Sequence, residues 1–291
     1  MQKTKLKNTQ QFVNIKAVFA FFFILSIIFT SCDKNEDIQE IPSYITITDV
    51  TLNATTIQGS NTHKITDVWL YVNDQNRGTY PLPAHIPILE KDSATIKIFA
   101  GIMDNGISAT RLPYSFYKMY EENIFLVPDS SVNISPVFKY KTGATIEVEN
   151  FEGVGTDIDT TLKSQIDFQI KTEGANHFAE AILENDNKTF EVATKDFINL
   201  PQVASPVYME LEYKSSHQFT IGAYVNYPFA VSQHPLVNVT AKEEWNKIYI
   251  NMTSTVSSAI NNSSIKFYIN MNRADTTEQS WIKFDNLKII Y

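Results

Sequence analysis

Beyond Pro42, hydrophobic and polar residues alternate in short runs. Clusters of Asn, Asp, Gly, Pro and Ser break the runs roughly every ten residues, as in all-β sandwiches. In "VYMELEY", Val207, Met209, Leu211 and Tyr213 share one face, opposite Tyr208, Glu210 and Glu212. "FTIGAYV" sets Phe219, Ile221, Ala223 and Val225 against Tyr224, and "IKFYINM" sets Ile265, Phe267, Ile269 and Met271 against Lys266, Tyr268 and Asn270. Half-buried antiparallel sheets produce this pattern. "NHFAEAILEND" fits a short helix as well as an alternating strand and is read as a strand. In "YITITDVTL" the inward phase shifts at Asp49, as a β-bulge would make it do. "KITDVWLYV" is read as closed by the turn "NDQNRG", with "IPILE" and "ATIKIFAG" as the following strands. The short, polar, Gly-containing "YKTGAT" divides a first block, 42–141, from a second, 142–291. The expectation is an all-β chain of two β-sandwich domains.

The residues ahead of this pattern read differently. Lys3, Lys5, Lys7 and Lys16 precede an apolar run from Ala17 to Phe29, with no acid before Asp33. That run is shorter than the roughly 20 residues a membrane span needs, and basic start plus short apolar core is the layout of a secretory signal. "IFTSC" resembles the lipobox of bacterial lipoproteins, with Thr30 and Ser31 directly before the sole cysteine and Phe29 where Leu is commonest. The resemblance implies a signal peptide over 1–31 and acyl chains (palmitate) on Cys32. Two or three such chains hold a protein to a bilayer where one binds only reversibly. The acidic tether 32–41 resembles the export signal of Bacteroidota lipoproteins sent to the cell surface. An outer-membrane, lipid-anchored protein facing outward is therefore expected, with the membrane as one partner.

Composition narrows the partners. Losing residues 1–31 would move the formal charge from −8 to −12, and a body that acidic repels nucleic acid, which is set aside as a partner. With no second cysteine there is no disulfide framework, so the folded part stands on its packed core. Nineteen Phe and fourteen Tyr against nine Gly favour strands.

Each block carries a resemblance. The stretch from "VWLYVNDQNRGTYPLP" to "TIKIFAG" is similar to small PEGA-like (Ig-like) or carboxypeptidase-regulatory-like β-domains. "ENFEG" (149–153) and "WIKFDNLKIIY" (281–291) resemble the first and last strands of galactose-binding-like, carbohydrate-binding-type jelly rolls. As a whole the chain is similar to Bacteroidota surface lipoproteins that place such a small domain before a jelly roll. The jelly-roll resemblance implies a structural calcium where the terminal strands meet, held by Glu152 and Asp285, with Asp157 and Asp159 adding oxygens; ordinary turn and edge carboxylates are the alternative. A hard cation takes six to eight oxygen ligands.

Glycan-binding modules present planar aromatics. Tyr208, Tyr224, Tyr249 and Tyr268 each lie opposite the apolar face of their own strand, so together they are candidates for a stacking platform. Against this, consecutive strands of a sandwich often join different sheets. The proline-bounded loop "NYPFAVSQHP" offers Tyr227 and Phe229 as a second candidate. "RLPYSFYKMY" (111–120) reads as a strand whose aromatics cover the joint between blocks, or as an exposed partner patch.

Catalytic motifs are missing: there is no G-x-S-x-G, no H-E-x-x-H and no Gly-rich phosphate loop. His63, His85, His177, His217 and His234 stand apart from one another in sequence. Ser93, Thr160 and Thr276 follow Asp in triplets matching the short O-glycosylation acceptor pattern of exported Bacteroidota proteins, where about one match is expected by chance. The expected function is non-enzymatic binding of glycan or another extracellular ligand through the second block. The alternative is an accessory or scaffold subunit of an outer-membrane assembly with no small ligand.

Overall fold

The computed structural model describes residues 40–259, 263–273 and 278–291; the leading segment with Cys32, tether residues 33–39 and Thr276 lie outside them. In the first half the chain runs through β1 (Ser43–Ile47), β2 (Thr51–Leu52), β3 (Asp67–Val72), β4 (Gln75–Pro81), β5 (Ala84–Ile88) and β6 (Asp92–Met103). It continues with β7 (Arg111–Pro113), β8 (Tyr117–Lys118), β9 (Tyr120–Leu126), β10 (Ser131–Asn133) and β11 (Val137–Tyr140). A sheet ordered β4-β3-β6-β7, with β9 also on β6, shares one interior with two three-stranded sheets, β10-β1-β5 and β2-β11-β8.

Two details depart from the sequence reading. β1 pairs with β5 and β10, whereas β2 pairs with β11, so at Asp49 the chain crosses between sheets and makes no bulge. The Asp49 carboxylate takes the Val50 N–H at 2.8 Å, replacing a ladder bond during the crossing. Ile45, Ile47, Val50 and Leu52 still all point inward. The turn after β3 is only Asn73–Asp74, both at positive φ (50° and 64°). That is the geometry of a two-residue hairpin whose twist matches its strands, so "QNRG" belongs to β4.

The second half contains β12 (Ile146–Glu149), β13 (Ile158–Thr160), β14 (Gln169–Glu173), β15 (Asn176–Leu183), β16 (Thr189–Thr194) and β17 (Phe197–Ile198). Then come β18 (Tyr208–Ser215), β19 (Phe219–Tyr227), β20 (Ala230–Val239), β21 (Lys242–Asn251), the short helix α1 (Thr253–Ser258), β22 (Ser264–Asn272) and β23 (Ser280–Ile290). Two sheets form, β14-β15-β23-β18-β21 with β12 on β23, and β13-β16-β22-β19-β20 with β17 on β22. Their apolar faces interdigitate around Phe190, Phe219, Phe267, Phe284, Leu211 and Ile269. Opening and closing strands pair from Ile146↔Ile290 to Glu149↔Leu287, so the ends of this half meet, but the opening strand precedes "ENFEG", of which only Glu149 is in β12. "NHFAEAIL" is a strand. "NYPFAVSQHP" is no loop: it is the tip and second strand of the β19–β20 hairpin, because Ala230–Val239 is laddered to β19 from Tyr227↔Ala230 to Phe219↔Val239, with one register shift at Leu236.

Pro42–Tyr291 is one compact unit. After the connector Lys141–Thr145 the halves do not part. Tyr208, Tyr249 and Ile290, on the outer face of the β18-containing sheet, belong to the first half's apolar interior. We call this the seam sheet and the β19-containing one the free sheet. Tyr114, Phe116 and Tyr117 of "RLPYSFYKMY" supply the other side of the contact, so those aromatics cover the joint.

Candidate functional site

The four tyrosines fall into two pairs on opposite sheets and form no common platform. Tyr208 (β18) and Tyr249 (β21) point out of the seam sheet but are 3% and 1% exposed, because the first half lies on them. Each hydroxyl is claimed there: Tyr208 donates to Asp104 Oδ1 at 2.9 Å, and Tyr249 shares a 3.0 Å hydrogen bond with the Tyr117 hydroxyl. Between the pair sits Glu210, 0% exposed. Its carboxylate accepts from Tyr114 (2.8 Å), Tyr140 (2.9 Å) and Lys247 Nζ (2.7 Å). Burial alone would raise the Glu210 carboxyl; Lys247 and Lys288 outweigh it and hold the group below the usual range. Lys288, also 0% exposed, donates to Tyr140 Oη at 3.1 Å and Ser60 O at 3.3 Å. Its ammonium is pushed down to about 8 by burial and then by Lys247. Lys247 Nζ also donates to Thr62 O at 2.9 Å, and Glu212 accepts from Ser60 and Thr62. Lys247 is thus ion-paired with Glu210, while Lys288 is held by the Tyr140 hydroxyl and the Ser60 carbonyl near the Glu210 and Glu212 charges, the kind of satisfaction a buried ionic network requires.

The free sheet keeps its outer face open. Ladder register places Glu191, Asn270, Thr220 and Asn238 in one row across β16, β22, β19 and β20. The next row is Ala193, Tyr268, Gly222 and Pro235, and the one after it includes Lys266, Tyr224 and Gln233. Gly222 is required here: a Cβ would stand 2.4 Å from the Tyr268 ring end and 2.5 Å from His234 O. Without one, Tyr268 lies across the neighbouring strand and floors the face. Tyr224 and Tyr268 have ring centroids 5.0 Å apart. Tyr224 donates to Glu191 Oε1 at 2.7 Å, and Lys163 Nζ sits above the Tyr224 ring, donating to its hydroxyl (2.8 Å) and to Gln233 Oε1 (2.6 Å). Burial, then Glu191, hold the Tyr224 hydroxyl well above its ordinary range, so it acts as a donor. Over this floor lies an open cleft of about 580 Å³ bordered by Lys163, Thr189, Thr220, Gln233, Asn270 and Asn272. Side-chain bonds pre-set its rim: Thr189 to Asn272 (3.0 Å), Asn272 to Asn270 (2.6 Å) and Thr220 to Asn238 (2.8 Å).

The rings are therefore not the binding surface the sequence suggested. Tyr268 is floor, and the Tyr224 hydroxyl is held by Lys163 and Glu191. The polar rim (Lys163, Glu191, Gln233, Asn270, Asn272) was missed, because it assembles only when register is known. Of the hairpin candidates, Tyr227 ends β19, while Phe229 at the tip is 101% exposed. Val231, exposed as well, faces the same way as Gln233 by strand periodicity and prolongs the cleft toward the tip.

The proposed calcium ligands are used otherwise. Glu152 accepts from His177 N (2.9 Å) and Nδ1 (2.7 Å), and these bonds hold its carboxyl below the usual range. Asp285 is buried, accepts from Asn176 Nδ2 at 3.0 Å and from Asn286 N at 2.6 Å, and is pushed up to about 6 by burial. Asp157 pairs with Lys195 at 3.0 Å, and Asp159 is exposed on β13. Among the described residues no three His, Cys, Asp or Glu side chains gather around a common point. Of the glycosylation candidates, Ser93 is exposed at the start of β6, and Thr160 is half-buried, its hydroxyl donating to Asp167 at 2.7 Å.

No protein-family model matches this chain, and no curated protein does. Among solved structures, half of the chain is similar in fold to the family 11 carbohydrate-binding module of the cellulosomal cellulase Lic26A-Cel5E of Clostridium thermocellum, at 11% identity and a TM-score of 0.37, covering 94% of that module. A family 29 carbohydrate-binding module is similar over the same share, at 11% identity and a TM-score of 0.34, covering 88% of it.

Proposed function

We propose that this protein binds glycan, without chemically altering it, in the cleft on the free sheet. The observation that carries this is the cleft's lining. Three amides, two hydroxyls and an ammonium, fixed by one another over the Tyr268 floor, border an open groove. Polyhydroxylated chains offer both donors and acceptors, which amide groups match in kind. The exposed Phe229 and Val231 at one end give the apolar C–H face of a sugar ring a surface to lie on. On the proposal's second part, Cys32 carries acyl chains that hold the body at the outer membrane and facing outward; the lipobox-like "IFTSC" supports it.

Affinity electrophoresis of the mature chain through gels containing a panel of polysaccharides tests the binding. At least one glycan should retard the wild type, and Asn270→Ala with Asn272→Ala should abolish the retardation while the fold persists. Mobility equal to that of an inert protein in every gel, or retardation indifferent to these substitutions, overturns the reading. Intact-mass measurement of the envelope-derived protein tests the anchor: a chain starting at Cys32 with added acyl mass is expected, and a lipid-free chain starting elsewhere contradicts it.

A further inference from the structure

A second cleft of about 540 Å³ lies between the halves, adjoining the first along β20, where Pro235 borders one and Leu236 the other, and opening between the 103–107 turn and the start of β21. One wall belongs to the first half. Asn105 N donates to Tyr249 O at 2.9 Å, its Oδ1 accepts the Asn251 N–H at 2.8 Å, and Asp104 forms a parallel bridge with Tyr249. Gly106 sits at φ +71°, where a Cβ would come within 2.9 Å of Ile248 Cδ1. The turn is thus riveted to β21 and the wall is pre-formed. Met103, Ile107, Leu236, Val237 and Ile248 make much of the lining apolar.

The charge in this cleft has one sign. Lys64, Lys242 and Lys247 line it, and no Asp or Glu does, in a chain whose net charge is −8. Lys247 is neutralised by Glu210 at 2.7 Å. Lys64 and Lys242 are exposed, and among the described residues neither ammonium has a hydrogen-bond or ion-pair partner. Asp104, the acid nearest in sequence to the wall, is turned to Tyr208 and Asn251. A lining that joins these apolar side chains to two ammonium groups without partners, and to the amides of Asn238 and Asn246, suits a particular ligand chemistry. Ligand pockets of this size favour domain interfaces and combine apolar walls with a few polar anchors.

We propose that this cleft is a binding site for an amphipathic organic anion, its apolar body against Met103, Ile107 and Ile248 and its carboxylate or sulfate between Lys64 and Lys242. The probe is 2-naphthoate, compared with the uncharged 2-naphthamide by calorimetry and by amide chemical shifts of the full mature chain. Naphthoate is expected to shift Gly106, Ile107 and Thr240 and to bind about tenfold more tightly than naphthamide, the scale of one charge-assisted contact. Lys64→Met with Lys242→Met should erase that preference, and Lys242→Glu should reverse it. Asn270→Ala with Asn272→Ala should leave naphthoate binding unchanged, which separates this site from the glycan cleft. Equal affinity for the two probes, shifts confined to other regions, or binding of glucuronate in place of naphthoate would each overturn the proposal.

Discussion

Each sheet of the second half bears a tyrosine pair and a buried glutamate on its outer face, met by a lysine that β21 supplies on one sheet and the turn after β13 supplies on the other, yet the two faces have opposite fates. On the seam sheet, Tyr208, Tyr249, Glu210 and Lys247 are sealed beneath the first half. On the free sheet, Tyr224, Tyr268, Glu191 and Lys163 satisfy one another and leave a rim of amides in the open. Similar tyrosines and glutamates at the same strand phase thus make a structural joint where a second layer covers them and an open polar face where none does. What decides is the neighbour across the sheet, not the strand itself.

The comparison is broken most severely at Glu210. Glu210→Ala removes the carboxylate closest to buried Lys247, leaving it Glu212 at 4.0 Å, and should cost about 3–5 kcal/mol, read as a lower urea midpoint; a loss under about 1 kcal/mol would mean that the seam is not held by this group. Gly222→Ala drives a methyl into Tyr268 and the β20 backbone and should cost about 1–3 kcal/mol. It should also weaken glycan retardation, and retention at wild-type strength would refute the role of the Tyr268 floor.

A matched pair of hydroxyl deletions sharpens the contrast. Tyr208→Phe removes the donor from buried Asp104 and should cost about 1–3 kcal/mol. Tyr224→Phe, whose partner Glu191 keeps Thr161 at 2.7 Å, should cost less than about 1 kcal/mol. Equal losses in thermal or urea unfolding would erase the distinction between sealed and open faces.

Asp285 gives the comparison a pH dependence. Burial raises its folded pKa to about 6, so between the ordinary carboxylate range and that value the folded state holds a proton that the unfolded chain has released. Stability therefore falls as pH rises through this window and is not regained above it. Lys288 acts in the opposite direction: lowered to about 8, it disfavours folding while charged, and stability rises from there toward the ordinary lysine range. Asp285→Asn should flatten the acidic slope, and an unchanged slope in pH-dependent unfolding would count against the assignment. The smallest effect is expected at Phe229→Ser: less than about 0.5 kcal/mol of stability, with reduced glycan retardation as the informative readout.

The strands themselves were legible because their alternation is strict: Val207–Tyr213, Phe219–Val225 and Ile265–Met271 all face inward as read. The outward phase of Tyr208 and Tyr249 was also correct. Outward from one core did not mean into water, because period-2 alternation carries no information about a further layer. Glu210, Lys247 and Lys288 escaped notice for the same reason, as charged residues on a strand's polar phase are ordinarily solvated. The aromatic density of Arg111–Tyr120 was the available signal that something lay over that face. The rim Gln233–Asn270–Asn272 was illegible because β20 and β22, distant in sequence, must first find their register on either side of β19. The "NYPFAVSQHP" hairpin was hidden by its prolines: Pro235 lies on edge strand β20, where a missing donor is tolerated.

The bridge from Asp104 to Tyr249 makes one turn of the first half a member of the other half's sheet. A recombination event at Lys141–Thr145 would hand on a jelly roll with its ionic centre laid bare and a partner missing its ceiling. A cut there would set Tyr208, Glu210 and Tyr249 in water on one side and open the first half's apolar interior on the other.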